Sequence, residues 1–236
     1  MNVRFENIHT FDLANATVRQ LNQALHDLKS DTGATRWKIL NCRGLHSVAV
    51  GLDVPVVVEI DGNVGYYCGG MNQHASIVVS GNAGVGVAEN MMSGLMHVQG
   101  DASQAAGATA QGGMLVIDGN ASARCGISMK GIDIIVKGSI GHMSAFMAQA
   151  GTLTVLGDAG ESLGDSIYEA RLYVRGSVAS LGTDCIEKQV RDDHRAEIFE
   201  KLKAAGMAGE VDVSEFKRYG SARSLYHFHV DNASSY

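Results

Sequence analysis

The stretch IDGNVG, Ile60 to Gly65, returns with small changes along the chain: VSGNAG from Val79, VQGDAS from Val98, IDGNAS from Ile117, VKGSIG from Val136, VLGDAG from Val155 and VRGSVA from Val174. The first glycines of these phrases are Gly62, Gly81, Gly100, Gly119, Gly138, Gly157 and Gly176, and every step is 19 residues. Glycine fills about 7% of positions in ordinary proteins, so chance produces such a series on the order of once in 10⁸ trials. The period therefore belongs to the fold.

The columns around the glycine say what is repeated. Two before it stand Ile60, Val79, Val98, Ile117, Val136, Val155 and Val174, all β-branched; four before it stand Val58, Ile77, Met96, Leu115, Ile134, Leu153 and Leu172. Alternate apolar columns predict short strands with one face turned inward. One after the glycine come Asn63, Asn82, Asp101, Asn120, Ser139, Asp158 and Ser177, residue types that hydrogen-bond their own backbone in turns. Three after it, no side chain is larger than Ser. A glycine followed by such residues predicts a sharp corner at one place in every unit.

Nineteen residues are too few for a strand–helix–strand unit, which needs about 30. They suffice for one coil of three short strands, stacked on the next at about 4.8 Å. Parallel connections of this kind wind right-handed. The expected fold is an all-β solenoid: a single-stranded right-handed parallel β-helix of about seven 19-residue coils from Val54 to Asp184, on the order of 30 Å long. Glycine-rich GNAGVG at Gly81 looks like a dinucleotide fingerprint, but no helix follows it and its equivalents recur in every coil.

The composition agrees. The 236 residues are 45% hydrophobic and 19% charged, with 29 glycines and one proline, which suits many strands joined by tight turns. A net charge of −6 speaks against a nucleic-acid partner. The opening MNVRFENIHTFDL lacks the apolar core of a signal peptide, and no apolar run approaches the roughly 18–20 residues that span a bilayer. The expected location is the cytoplasm.

The ends fall outside the repeat. Residues 1–53 read as a strand and helix cap: Thr17–Gln20 has a capping-box pattern, Val18, Leu21, Leu25 and Leu28 share one helical face, and Ser47 to Leu52 is strand-like. Residues 185–236 read as a helix from Ile186 to about Ala205, with Ile186, Val190, Ile198 and Leu202 as its stripe and Gly206 as its stop, followed by an extended arm. Both would cover the open edges of a stack. The arm's Lys217, Arg218 and Arg223 lie among Phe216, Tyr219, Tyr226 and Phe228, which suits packing against the solenoid or a partner chain.

Catalytic chemistry is hard to find. Cys42, Cys68, Cys125 and Cys185 form no CxxC pair. Cys68 and Cys125 lie three periods apart, so about 14 Å separates them, beyond the roughly 7 Å reach of a disulfide. They read as small apolar fillers whose free thiols suit a reducing compartment. His227 and His229 could chelate a metal from one side of a strand, with no third ligand evident. Glu89, Asp165 and Glu169 read as standing at the same stage of different coils, as do Asn90 and Lys130 or their near neighbours, leaving open a polar ridge or plain solvated turns. No nucleophile elbow, HExxH motif or P-loop occurs. No catalytic, cofactor-binding or metal residue is assigned.

Several segments, GVAENMMSGLMHVQGDASQAAGATAQGG among them, resemble the GXGXG domain that ends the large subunit of glutamate synthase, and a subunit of formylmethanofuran dehydrogenase. VGYYCGGMNQ, GNASARCGISMKG, GHMSAFMAQAG, LGDSIYEA and FKRYGSARSLYHFHVDN are similar to the free-standing form of that domain, the GXGXG chain of N-methylglutamate synthase (methylamine–glutamate N-methyltransferase) and its relatives. The likeness covers nearly the whole sequence, including its non-repeating ends. It implies a β-helix without catalytic residues that holds two partners: a glutamine-amidotransferase-like chain and an FMN-binding synthase-like chain, in which any iron–sulfur centre would also sit. The implied complex makes N-methylglutamate from methylamine and glutamate and releases ammonia. The equivalent GXGXG chain of a glutamate synthase-type complex is the alternative. An independent carbohydrate-active β-helix is a third reading, and the aromatic content of 6% counts against it.

Overall fold

A computed structural model describes residues 7–29 and 35–223. Strands β3 (Val57–Ile60), β4 (Ser76–Val79), β5 (Leu95–Val98), β6 (Met114–Ile117), β7 (Lys130–Val136), β8 (Ala150–Val155) and β9 (Arg171–Val174) each carry one glycine phrase at their exit. Each pairs with the next in parallel, and the register places every residue beside its counterpart 19 positions on, as in Ile60 beside Val79 beside Val98. The molecule is a β-solenoid of about seven coils. Val79, Val98, Ile117, Val136, Val155 and Val174 are fully buried, as are Val58 to Leu172 in the second column.

The coil differs from three strands in a row. One side is the regular strand. The second is a single bridge per coil, running Val64, Ala83, Ala102, Ala121, Ile140, Ala159, Val178. The third is no strand at all. There alternate residues adopt left-handed backbone: Tyr67, Gly69 and Met71, then Gly86, Ala88 and Asn90, then Ala105, Gly107 and Thr109, and so on upward. Each left-handed non-glycine residue costs about 1–2 kcal/mol. Inter-coil backbone bonds offset it, as in Tyr67 N–H to Val85 O and Ala88 N–H to Cys68 O, both 2.9 Å. Ser47, Ala49 and Gly51 repeat this pattern, so the stretch Ser47 to Leu52 is the first such winding and not the expected strand. Its apolar alternation is real, since Val48 and Leu52 are buried, but its hydrogen bonds are those of the turn side.

The corner also works differently from the expected turn. Asn63 Oδ1 accepts the backbone N–H of Asn82 (2.8 Å), Asn82 that of Asp101 (2.8 Å), Asp101 that of Asn120 (2.7 Å), Asn120 that of Ser139 (2.9 Å), Ser139 Oγ that of Asp158 (2.9 Å), and Asp158 that of Ser177 (2.7 Å). These side chains bond the coil above, not their own backbone. The Ser177 N–H holds the Asp158 carboxyl below the usual carboxylate range. The glycines answer to the same ladder. Only Gly62 of the seven has a positive φ, +89°. A Cβ on Gly81, Gly100, Gly119, Gly138, Gly157 or Gly176 would come within 3.0 Å of the side-chain oxygen below it and of the glycine backbone beneath. They are glycines because the coils touch there.

The sheet continues past the repeat. Strand β2 (Thr35–Leu40) pairs in parallel with β3, and β1 (Asn7–Asp12) pairs in parallel with β2. Between them helix α1 (Val18–His26) starts at Thr17 with both capping-box bonds present and buries Leu21 and Leu25. Its Asn22 accepts the Ala49 N–H and donates to Ser47 O, so α1 covers the first turn-side winding.

At the other end, β10 (Cys185–Lys188) and β11 (Lys217–Ser221) close the sheet, with β11 antiparallel between β9 and β10. Ile186 is thus a strand residue, 44% exposed, and the helix starts later as α2 (Asp192–Ala204). The last coil offers an unpaired strand edge, and filling it outweighs the helical spacing of Ile186 and Val190. Asp192 and Asp193 suit the helix start, Lys201 and Lys203 its end, and Gly206 at φ +80° stops it. Helix α2 does not sit on the end of the stack. It lies on the outer face of the sheet, where Ile198 and Leu202 pack with Ile135, Leu156 and Tyr173, and Lys201 reaches Asp133 at 2.5 Å.

The ladder predicts two kinds of glycine cost. Gly119→Ala drives a methyl group into the Asp101 carboxylate and should lower stability by about 1–3 kcal/mol through overpacking. Gly62→Ala meets no atom within 4 Å and should lose about 1–2 kcal/mol for its φ alone. Adding Asn63→Ala should soften the clash of Gly81→Ala, whose methyl meets the Asn63 side chain, and should relieve nothing at Gly62→Ala. Urea denaturation of the single and double variants measures this.

Candidate functional surfaces

Three surfaces combine polar or exposed groups with shape. The first is the turn side of the early coils. Tyr66 and Tyr67 rings lie 5.5 Å apart, with His46 edge-on to Tyr66 at 6.4 Å. Asn90 donates to the Tyr67 hydroxyl at 3.2 Å and accepts from Thr109 at 2.6 Å, so one amide spans three coils. The Glu89 carboxylate folds over Gly86, where a Cβ would meet its Oε2 at 2.5 Å, and burial raises its pKa. Around this network Tyr66, Met71, Val85 and Met92 stay between 42% and 48% exposed, with Met147 further along at 38%. Large apolar side chains exposed together are a surface suited to contact with another molecule.

The ridge expected from Glu89, Asp165 and Glu169 does not form one site. Glu89 and Asp165 share a column four coils apart, about 19 Å. Glu169 falls four residues later, on the rim of a cleft of about 300 Å³ with Lys188, Arg218 and Arg223. Lys130 opens β7, two residues past Ser128, which continues Asn90's column. Sequence reading missed Tyr67 and Thr109. The 19-residue offset from Asn90 to Thr109 was the signal that could have found the latter.

The second surface is the outer face of β2 to β5, an open furrow lined by Lys38, Glu59, Asp61, Ser80 and Gln99. Arg36 reaches Glu59 at 3.1 Å beside it, and further along His97 and Lys137 both hold Asp118, at 2.9 and 2.8 Å. These ion pairs tie neighbouring coils together. The third surface is a cleft of about 360 Å³ where the start of α2 meets β9 and β11, lined by Arg171, Arg191, Asp193, His194, Glu197 and Arg218. Within it Glu197 receives both Arg171 (2.7 Å) and the Tyr173 hydroxyl (2.5 Å).

The cysteines are fillers. All four are free and buried, and Cys68 and Cys125 occupy the slot that Val87 and Ala106 fill in the coils between. Burial pushes the Cys125 thiol up to about 12 and the Cys185 thiol up to about 11, so neither is a thiolate at neutral pH. Among the described residues no group of three or more His, Cys, Asp and Glu could hold a metal ion, and no helix is long and apolar enough to cross a membrane. His227 and His229 lie outside the described residues.

No family model and no solved structure matches the chain. It is 59% identical over 225 residues to Protein GlxC of Rhizobium meliloti (strain 1021), an alignment spanning 95% of this chain and 98% of that protein.

Burial raises the folded-state pKa of Glu89 above its unfolded value, so its contribution favours the fold below the unfolded pKa and is lost as pH rises through the folded one. Glu89→Gln removes that dependence. The melting temperature of the wild type relative to Glu89→Gln should therefore fall as pH rises above the ordinary glutamate range, as measured by circular dichroism on both proteins.

Proposed function

This chain belongs to the GlxC family, and from that membership, the resemblance to GXGXG subunits and the surface just described we propose that it is a non-catalytic scaffold subunit of a heteromeric glutamate-synthase-like enzyme. The specific complex is N-methylglutamate synthase, which makes N-methylglutamate from methylamine and glutamate with release of ammonia. The partners are a glutamine-amidotransferase-like chain and an FMN-binding chain, and flavin chemistry, with any iron–sulfur centre, belongs to the latter. The assembly works in the cytoplasm.

The observation that carries this reading is the exposed apolar group Tyr66, Met71, Val85 and Met92 on a body whose coils are locked by an unbroken ladder. Sites that exchange an intermediate lose rate steeply when misplaced by about an ångström. A stack with hydrogen bonds on every side of each coil holds docked chains at fixed separation. Its own thiols, protonated and buried, suit packing and not catalysis.

Purification of a tagged chain from its native host tests this. FMN-containing and amidotransferase-like chains should co-purify, and the preparation should form N-methylglutamate from methylamine and glutamate. Val85→Asp with Met92→Asp should cut the co-purifying partners at least about tenfold, since each buried charge costs more than the roughly 1.4 kcal/mol of a decade, with the circular dichroism spectrum unchanged. A wild-type chain that purifies alone, or that carries flavin absorbance or hydrolase activity itself, overturns the scaffold role. Glutamine-dependent glutamate formation in place of N-methylglutamate would assign the complex to the glutamate synthase type.

A further inference from the structure

The cleft at the start of α2 holds more hydrogen-bond donors than acceptors. The Nε–H groups of Arg171 and Arg218 are both buried without a hydrogen-bond partner among the described residues. Arg171 gives its Nη2 to Glu197, and Arg191 is bound through two nitrogens to Asp193 at 2.8 and 3.1 Å. Arg218 has no ion pair among the described residues. His194 adds a third donor. Its Nδ1 accepts the Arg191 backbone N–H at 3.1 Å, which leaves the proton of the neutral ring on Nε2. That atom faces the Arg191 guanidinium at 3.4 Å, donor against donor. Burial, then the charge of Arg218, holds His194 below its ordinary value and keeps it neutral.

The strand register makes the imbalance worse. Arg218 on β11 stands directly opposite Lys188 on β10, which has no ion pair among the described residues either. Like charges facing each other across an antiparallel pair are destabilising. A buried donor without an acceptor is also costly. Among the described residues that line the cleft, the two carboxylates, Asp193 and Glu197, are already taken by Arg191 and Arg171, so the charge of Arg218 is left to be matched there.

We propose that this cleft is a binding site for a carboxylate of single net charge, seated between Arg218, Arg171 and His194 at the start of α2. Guanidinium forks match a planar carboxylate through paired hydrogen bonds. The helix start adds its own N–H dipoles. A single negative charge balances the groups that line this cleft, of which Lys188 is not one. The carboxylate is either a free small acid or a side chain of a docked partner. The second source rests on the scaffold reading; the first does not.

Titration of the purified full chain with sodium acetate, against sodium chloride at equal ionic strength, tests the first source. The Arg218 Nε–Hε resonance should move saturably, with half-saturation on the order of 1–10 mM, and the shift should be lost in Arg218→Gln. Arg218→Lys keeps the charge but lacks the fork, and should weaken the response at least about fivefold. Without acetate, Lys188→Gln should raise the melting temperature by about 1–3 °C, since it removes a facing like charge. For the second source, folded Arg218→Gln should release the co-purifying chains although acetate leaves the free wild-type chain unmoved. If acetate gives no saturable shift and Arg218→Gln retains its partners as the wild type does, the site is refuted. Should the wild type bring down no partners, the scaffold reading fails and the acetate titration alone decides the cleft.

Discussion

At one corner of each coil an Asn, Asp or Ser side chain reaches up to the backbone N–H of its counterpart 19 residues later, and a glycine lies against it. This contact is the constraint on which the rest of the structure depends. It sets the register of the strand pairs from β3 to β9, because a slip of one residue would put a Cβ where only glycine fits. Parallel strands of four residues are weak alone. Their stability comes from repetition, as each coil satisfies the donors of the one below and buries the same two apolar columns.

With the corner fixed, the remainder of the coil must close in a set number of residues. The turn side does so with three left-handed residues per coil, some of them Tyr, Met, Asn and Thr. That strain persists because the coils above and below hold the backbone. It also aims side chains outward at a regular spacing, which is how Tyr67, Asn90 and Thr109 come to bond across three coils and how Met71, Val85 and Met92 come to stand in solvent. A stiff stack with an apolar turn side is suited to holding other chains.

The C-terminal region shows a different balance. Strand β11 returns to fill the edge of β9, which places Arg218 against Lys188 and under the start of α2. Native sheets cover such edges because an open edge recruits other strands. Closing it here gathers Arg218 and Lys188, which have no ion pair among the described residues. Groups that are unfavourable for folding and yet converge on a cleft are candidates for recognition.

What the sequence by itself determined is the periodic part: the coil length, the inward columns, the corner glycines and the helix behind Thr17. These follow from local rules repeated at 19 residues, and repetition turns weak preferences into a firm pattern. Tertiary structure alone decided the rest. Ser47 to Leu52 became a left-handed winding because a coil above it supplied the hydrogen bonds, Ile186 became a strand because an edge needed filling, and Asn63 and its successors bonded the next coil instead of themselves. The Arg171, His194 and Arg218 cleft joins residues up to 47 positions apart, on two strands and a helix. No short-range pattern marks such a meeting, since only the stacking brings those elements into contact.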